Sequence, residues 1–356
     1  MYRRREPLVT DDVEMEGPGA GEVRVRFAAS GVCHSDYSHW ERDSWTKLPL
    51  ILGHEGSGVI AAVGSGVTQV QAGDHVIVAF GNKCGECAFC RRGEPYLCTP
   101  EDPSRNVLTH THFRARGEPA YQFLGVGSFA QETVVPATNC VKIGAEAPLQ
   151  PACLIACGVT TGVGAVVNVA QVQPGASVVV IGAGGVGLNV VQGARLAGAA
   201  RIIAVDLVPK KLELARQFGA THVLLAGEGD VVKRVADLTG GYGADYAFEV
   251  IGLPRTIRQA YDAARKGGTV VIVGVAADTA EVTFLAAEMM RSAKTIKGCQ
   301  AGGLRPQVDF PRIVDLWQAG RLQIDELISR RFALEEVNEA FRAMAAGEVA
   351  RGIIVY

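Results

Sequence analysis

The sequence predicts an α/β protein of two domains, a doubly wound parallel sheet and a β-rich unit. Three observations carry that expectation. From about residue 159 to 300, β-branched runs alternate with helical patterns. A glycine turn of the form G-x-G-x-x-G joins the first of these runs to its helix. Residues 1–150 show instead short apolar or alternating runs between Gly and Asp turns. A length of 356 residues accommodates two domains at roughly 100–200 residues each.

Each element follows from local pattern. Glu22–Ala28 alternates apolar and polar, and Gly58–Val63 and His75–Phe80 are short apolar runs, so all three are expected strands. Thr99–Ala120 holds three prolines and no clear period, and reads as a long loop. Ser177–Ile181 is a β-branched strand, followed by a helix with Val186, Val190, Ala194 and Ala197 on one face. Arg201–Asp206 is the next strand, and Lys210–Phe218 a helix that Gly219 can end. Strands are expected at His222–Leu225, Asp245–Val250 and Thr269–Gly274, with helices near 230–239 and 255–266. Units of this kind need a parallel sheet with helices on both faces. From about 301 the pattern is mixed again. Leu334, Val337, Phe341 and Met344, spaced 3, 4 and 3, predict one helix closed by Gly347. The expected domains are therefore 1–158 together with 301–356, and 159–300.

Composition excludes several classes. With 48% hydrophobic and 20% charged residues the chain is not disordered. A formal net charge of −2 gives no electrostatic footprint for nucleic acid or an anionic membrane. No apolar run reaches the roughly 20 residues of a membrane span. Met1-Tyr2-Arg3-Arg4-Arg5 is basic but no apolar stretch follows, so a cytoplasmic location is expected rather than secretion. Nine cysteines, an odd number, suit an intracellular protein with thiolate metal sites better than a disulfide scaffold.

In Gly182-Ala183-Gly184-Gly185-Val186-Gly187, the residues Gly182, Gly184 and Gly187 take the three motif places. The first permits a sharp turn, the second lets backbone approach a pyrophosphate, and the third packs helix on strand. The phosphates would sit on the helix N-terminus, near Gly185 and Val186. Asp206 follows Gly187 by 19 residues, where a carboxylate can take both ribose hydroxyls. It repels a 2′-phosphate, and no arginine follows in Leu207-Val208-Pro209, so NAD is favoured over NADP. Lys211 could reach a ribose oxygen or simply be solvated. The plain alternative is a glycine-rich turn in an unrelated sheet.

Two cysteine patterns suggest metal. Cys84-x2-Cys87-x2-Cys90-x7-Cys98 places four thiols within fifteen residues, a closed tetrahedral set for structural zinc. A disulfide-bonded loop or a nucleic-acid zinc module are the alternatives, opposed by the lack of an export signal and by the charge. Cys33, His54 and Cys157 could together form an open zinc site with a fourth position for water or a substrate oxygen. Their separate alternatives are two buried thiols and a hydrogen-bonded turn histidine.

Gly53-His54-Glu55-x2-Gly58-x5-Gly64-x2-Val67 resembles the signature of zinc-dependent medium-chain alcohol dehydrogenases. So do Gly31-Val32-Cys33-His34-Ser35-Asp36, the four-cysteine lobe, Ala156-Cys157-Gly158-x2-Thr161-Gly162, and Gly182–Gly187, in order over almost the whole chain. The segment after Cys98 and Gln122-Phe123-Leu124-Gly125-x2-Ser128-Phe129 resemble the liver-type branch. The resemblance implies a GroES-like catalytic domain, a Rossmann coenzyme domain, two zinc ions per chain, NAD and a homodimer. It implies that Cys33, His54 and Cys157 bind the catalytic zinc and that Asp36 orients His54. Glu55 would be a transient ligand, an electrostatic tuner or a structural hydrogen-bond partner. Ser35 would contact the substrate oxygen and begin a proton relay. His34 and Arg351 would lie near the cofactor pyrophosphate, Thr161 near the nicotinamide, and Phe80 and Phe123 along the substrate pocket.

The implied reaction is reversible oxidation of an alcohol to an aldehyde or ketone by hydride transfer to NAD. A formaldehyde-type dehydrogenase acting on an S-(hydroxymethyl)thiol shares every one of these residues, and a non-catalytic NAD-binding or redox-sensing protein is the alternative of another class. Two departures stand out. The family's relay histidine, five positions after the first cysteine ligand, is Ser38 here, with His39 next. The apolar first strand typical of the family is also missing. Tyr37, Trp40 and Trp45 near the expected pocket mouth suggest a bulky or aromatic substrate, although packing accounts for them equally.

Overall fold

Val23, Val25 and Phe27 point inward along the strand Glu22–Val32 and are 0%, 0% and 3% exposed. Arg24 and Arg26 face outward, 3.7 and 3.0 Å from Glu132. This period of two makes the strand the spine of a sheet with one buried face. The computed structural model describes residues 1–44, 46–103 and 106–356. Among these residues the chain forms two compact units, Met1–Cys157 with Arg305–Tyr356, and Gly158–Leu304.

In the first unit the main sheet runs Ile328–Phe332, Arg351–Val355, Glu22–Val32, Glu55–Val63, His75–Val78, Cys140–Lys142, with Glu132–Pro136 also on Glu22–Val32. Arg351–Val355 lies antiparallel to Glu22–Val32 with Gly352 opposite Val32, and on the other side Gly31 is opposite Glu55. Three segments remote in sequence thus meet at one end of the sheet: the chain leaving Val32, the chain entering Glu55, and Arg351. Ile60, Val76, Val78 and Val135 fill the core beneath the spine.

The long loop expected over Thr99–Ala120 is corrected by the structure. Phe113–Ala115 and Glu118–Gln122 form an antiparallel pair in a second sheet, with Glu14–Met15 and Leu50–Ile51 at its edges. Arg116 and Gly117 both have positive φ, 54° and 82°, the geometry of a two-residue hairpin turn. Each strand is too short for its alternation to register, and Pro119 disguises the second.

The second unit is a parallel six-stranded sheet, in the order His222–Leu225, Arg201–Asp206, Ser177–Ile181, Ala244–Glu249, Ala264–Ile272, Thr295–Gly298. Two halves diverge from Ser177–Ile181, whose five residues are all buried, as a strand covered on both faces requires. Ligands bind where such an order reverses, here between Ser177–Ile181 and Ala244–Glu249. Most expected elements fall within a few residues of those observed, including Pro209–Gln217, Val231–Leu238 and Pro254–Ala263. The strand expected at Thr269–Gly274 begins earlier, at Ala264, because a register irregularity opposite Ala244–Tyr246 carries the pairing past two glycines. The helix built on Val337, Phe341 and Met344 spans Val337–Ala345, and Leu334 lies in a short helical turn before it.

Candidate active site

Strand Glu22–Val32 runs into Cys33, which caps the helix His34–Glu41, so Cys33 and Asp36 face the same end of the sheet. The chain entering Glu55–Val63 brings His54 beside them. Cys157 closes the first unit. One donor atom each from Cys33, His54, Glu55 and Cys157 lies within 4.8 Å of all the others. The three expected ligands, spread over more than a hundred residues, are therefore brought together.

Burial tunes this cluster. Asp36, fully buried, accepts from the Gly53 N–H at 2.8 Å and lies 3.2–3.3 Å from His54 Nδ1. In that contact Nδ1–H donates to the carboxylate and leaves Nε2 free, a buried nitrogen with no hydrogen-bond partner among the described residues. A histidine held this way is ready to ligate a metal. Burial alone would lower the His54 imidazole, but the Asp36 charge and hydrogen bond outweigh it and raise it. A hydrogen bond from the Cys157 thiol, helped by the charge of the nearby His54, holds Cys33 well below the usual thiol range against its desolvation. Two thiol donors and one imidazole, the last with an unsatisfied nitrogen, fit zinc and leave a fourth position.

Behind the cluster, Glu55 is fully buried and ion-paired with Arg351, which also donates to Val32 O. Burial pushes the Glu55 carboxyl up to about 7 against the pull of that guanidinium. Gly31 makes room for the pair, since a Cβ there would sit 1.8 Å from Glu55 Oε2. Gly31, in the sequence only one place of the motif Gly31–Asp36, lies directly across the strand pair from this buried carboxylate. Arg351, expected near a pyrophosphate, has its guanidinium committed to Glu55 and only 5% exposed.

Around the ligands, the rings of Phe80 and Phe123 meet the His54 imidazole edge-on, each with centroids 5.4 Å away. Ser35 Oγ lies 3.8 Å from Cys33 Sγ. His39 packs on Phe123 at 4.5 Å, and its Nδ1 is 2.9 Å from the Ser35 carbonyl oxygen rather than the hydroxyl. Tyr37 and Trp40 pack on Phe341 at 5.7 and 6.0 Å, and Trp40 Nε1 donates to Glu6 O. These two aromatics thus have a structural role, and Trp45 lies outside the described residues. His34 opens its helix with an exposed side chain.

The four-cysteine lobe has its own geometry. Sγ–Sγ separations of 3.4, 3.9 and 4.0 Å link Cys84 to Cys98, Cys87 to Cys98, and Cys84 to Cys90. A tetrahedron with metal–sulfur bonds of about 2.3 Å has edges of about 3.8 Å, so these distances suit zinc. The N–H groups of Cys84 and Cys87 point at Cys98 Sγ and Cys84 Sγ, as thiolates require. All four thiols are free, so the disulfide alternative does not hold.

In the second unit, Gly182 turns the chain at φ +101° between Ser177–Ile181 and the helix Gly185–Leu196. A Cβ on Gly187 would lie 1.8 Å from Gly182 O, so the third motif place admits only glycine. A Cβ on Gly184 would meet no protein atom within 4 Å; the space over it is open for a ligand at the helix N-terminus. Val186 follows on the first turn. Asp206 accepts from Ala183 N at 2.8 Å and from Val208 N at 3.0 Å, which fixes its carboxylate beside the turn. This cradle fits a dinucleotide. Lys211 is on the following helix, and Thr161 on the helix Gly158–Gly164 of the same unit.

A family model described as an alcohol dehydrogenase GroES-like domain matches residues 19–145, and one described as a zinc-binding dehydrogenase matches residues 185–319. An alcohol dehydrogenase class-3 of Zea mays is 39% identical over 362 residues, covering 99% of this chain and 94% of its own. An S-(hydroxymethyl)glutathione dehydrogenase of Haemophilus influenzae is 39% identical over 362 residues, covering 100% and 96%. The crystal structure of an alcohol dehydrogenase zinc-binding domain protein from Burkholderia ambifaria matches with a TM-score of 0.93 and 36% identity, over 99% of this chain and 96% of that one. The main sheet with its two cysteine sets is the GroES-like part and the parallel sheet the Rossmann part, and by sequence and fold together the chain belongs to the zinc-dependent medium-chain alcohol dehydrogenase family.

Proposed function

We propose that this protein is an NAD-dependent dehydrogenase that reversibly oxidises a primary alcohol to an aldehyde. The observation that carries the proposal is the donor set Cys33, His54 and Cys157, gathered with His54 Nε2 unsatisfied and Nδ1 held by buried Asp36. When bound, zinc supplies Lewis acidity toward an alcohol oxygen and the nicotinamide accepts the electron pair of the C–H bond.

The chain's own residues supply the rest. Asp36 keeps the His54 tautomer fixed. Ser35 Oγ, 3.8 Å from Cys33 Sγ, is placed to take the alcohol proton. His39 directs Nδ1 at the Ser35 carbonyl oxygen, 2.9 Å away, and not at the Ser35 hydroxyl. Phe80 and Phe123 flank His54 with apolar edges and keep water from it. Asp206, beside the glycine turn, favours the ribose hydroxyls of NAD over a 2′-phosphate, and Lys211 and Thr161 complete the proposed cofactor contacts.

A second reading has specific support: the Haemophilus influenzae relative carries the name S-(hydroxymethyl)glutathione dehydrogenase. On that reading the alcohol is the hydroxymethyl adduct of a thiol, with the same residues in the same roles. The aromatic pair Tyr37 and Trp40 lends no weight to a bulky substrate, because both rings are spent on Phe341.

A panel of primary alcohols and S-(hydroxymethyl)glutathione, offered with NAD and separately with NADP and followed by cofactor absorbance, tests the proposal. Turnover with NAD is expected. The adduct outpacing every simple alcohol would favour the second reading, and no turnover of any member by zinc-loaded protein would leave a binding or sensing role and overturn both.

A further inference from the structure

A third cluster stands apart from both cysteine sets. One donor atom each from Glu22, His110 and His112 lies within 4.8 Å of the others. Glu22 opens the spine strand, and His110 and His112 lie on the segment leading into Phe113–Ala115. His112 Nε2 is 2.9 Å from Glu22 Oε1, and the two imidazoles meet edge-on with centroids 4.8 Å apart. Glu22 Oε2 accepts from Gly19 N at 2.8 Å, which turns the other carboxylate oxygen toward the histidines.

A plain ion pair explains the contact between Glu22 and His112 but leaves two things over. His112 is only 9% exposed, and its Nδ1 is buried with no hydrogen-bond partner among the described residues. The His110 imidazole also comes into range of the other two donors, with no side-chain hydrogen bond among the described residues. A cation seated among these three donors would displace the proton that His112 Nε2 and Glu22 Oε1 share. Glu22, His110 and His112 all line a cavity of about 510 Å³, together with Lys83, Gln122 and Asn139. His110 is exposed, so a cation can enter from solvent.

We propose that Glu22, His110 and His112 form a third metal site, for a divalent cation of the zinc class bound by two imidazoles and one carboxylate. Nitrogen and oxygen donors of this kind suit Zn²⁺, Ni²⁺ or Cu²⁺. Three protein ligands leave a further position, open to the cavity, for water or a small anion. Occupancy ties the segment carrying His110 and His112 to the first residue of the spine strand.

The test is equilibrium dialysis of the zinc-loaded protein against buffered free Zn²⁺, with bound metal counted by elemental analysis. The wild type is expected to take up about one zinc per chain beyond the two in the cysteine sites, and His110→Ala, His112→Gln and Glu22→Gln to lose that equivalent. His110 is exposed, so His110→Ala reports on binding even if the variants at the more buried positions fold poorly. A wild type that saturates at two, or a His110→Ala protein that binds as much zinc as the wild type, overturns the proposal.

Discussion

At Asp36 a single carboxylate does two jobs. It accepts from the Gly53 N–H, which fixes the turn before His54, and it holds His54 Nδ1, which decides the nitrogen offered to a metal. Replacing it leaves a buried imidazole free to rotate or change tautomer. Asp36→Ala is expected to weaken zinc retention at the Cys33 site by about 10- to 100-fold while the four-cysteine lobe keeps its metal. Competition with a graded chelator, with zinc counted per chain, measures this; equal retention at both sites would remove Asp36 from its positioning role. Glu55 and Arg351 show the same economy of parts, a buried charge made tolerable by its partner and by the missing side chain of Gly31.

Elements are held in register by similar devices. In the second unit Asp245 ties the start of Ala244–Glu249 to the start of Ser177–Ile181. It accepts from Ser177 N at 2.7 Å, Ser177 Oγ at 2.6 Å and Arg265 Nε at 2.6 Å. Desolvation acts to raise its carboxyl, but the Ser177 hydrogen bonds and Arg265 prevail and hold it below the usual range. A carboxylate with a depressed folded value stabilises above its unfolded pKa, near 4, and that contribution is lost as pH falls through the folded value. Asp245→Asn should therefore cost about 1–2 kcal/mol at pH 7, allowing for partial exposure, and less at pH 3, below the unfolded pKa. Hydrogen exchange in peptides covering 177–181 and 244–249 reads the difference where it arises; an equal loss at both pH values would contradict the ionic account.

Over the whole molecule, metal dependence is confined to one unit. All three candidate donor clusters among the described residues lie in Met1–Cys157. The four-cysteine lobe has short strands and helices around it, so its fold depends on the ion more than on a hydrophobic core. Stripping zinc with a strong chelator is expected to open residues 79–112 to limited proteolysis well before 177–304, whose parallel sheet rests on Val179, Ile203, Ala247 and Val270. Equal cleavage rates in the two regions would show that the lobe does not need its metal.

The second unit was legible almost strand by strand, because buried parallel strands and their covering helices write their period directly into consecutive residues. The glycine turn was legible for the same reason: a sharp turn, a close approach and a tight crossing each forbid a side chain at a fixed place. The four cysteines announced themselves by spacing alone, since their ligand geometry is local. The Cys33 site was readable only through resemblance, as three fragments with nothing in their separation to join them. Sheet pairing decided it, by setting Gly31 opposite Glu55 and Gly352 opposite Val32, so that Cys33, His54 and Arg351 arrive at one end. The hairpin Phe113–Gln122 stayed hidden because strands of three and five residues, the second broken by Pro119, carry too little period. The gathering of Glu22 with His110 and His112 stayed hidden because a contact across some ninety residues is a property of the folded sheet, not of any window of sequence.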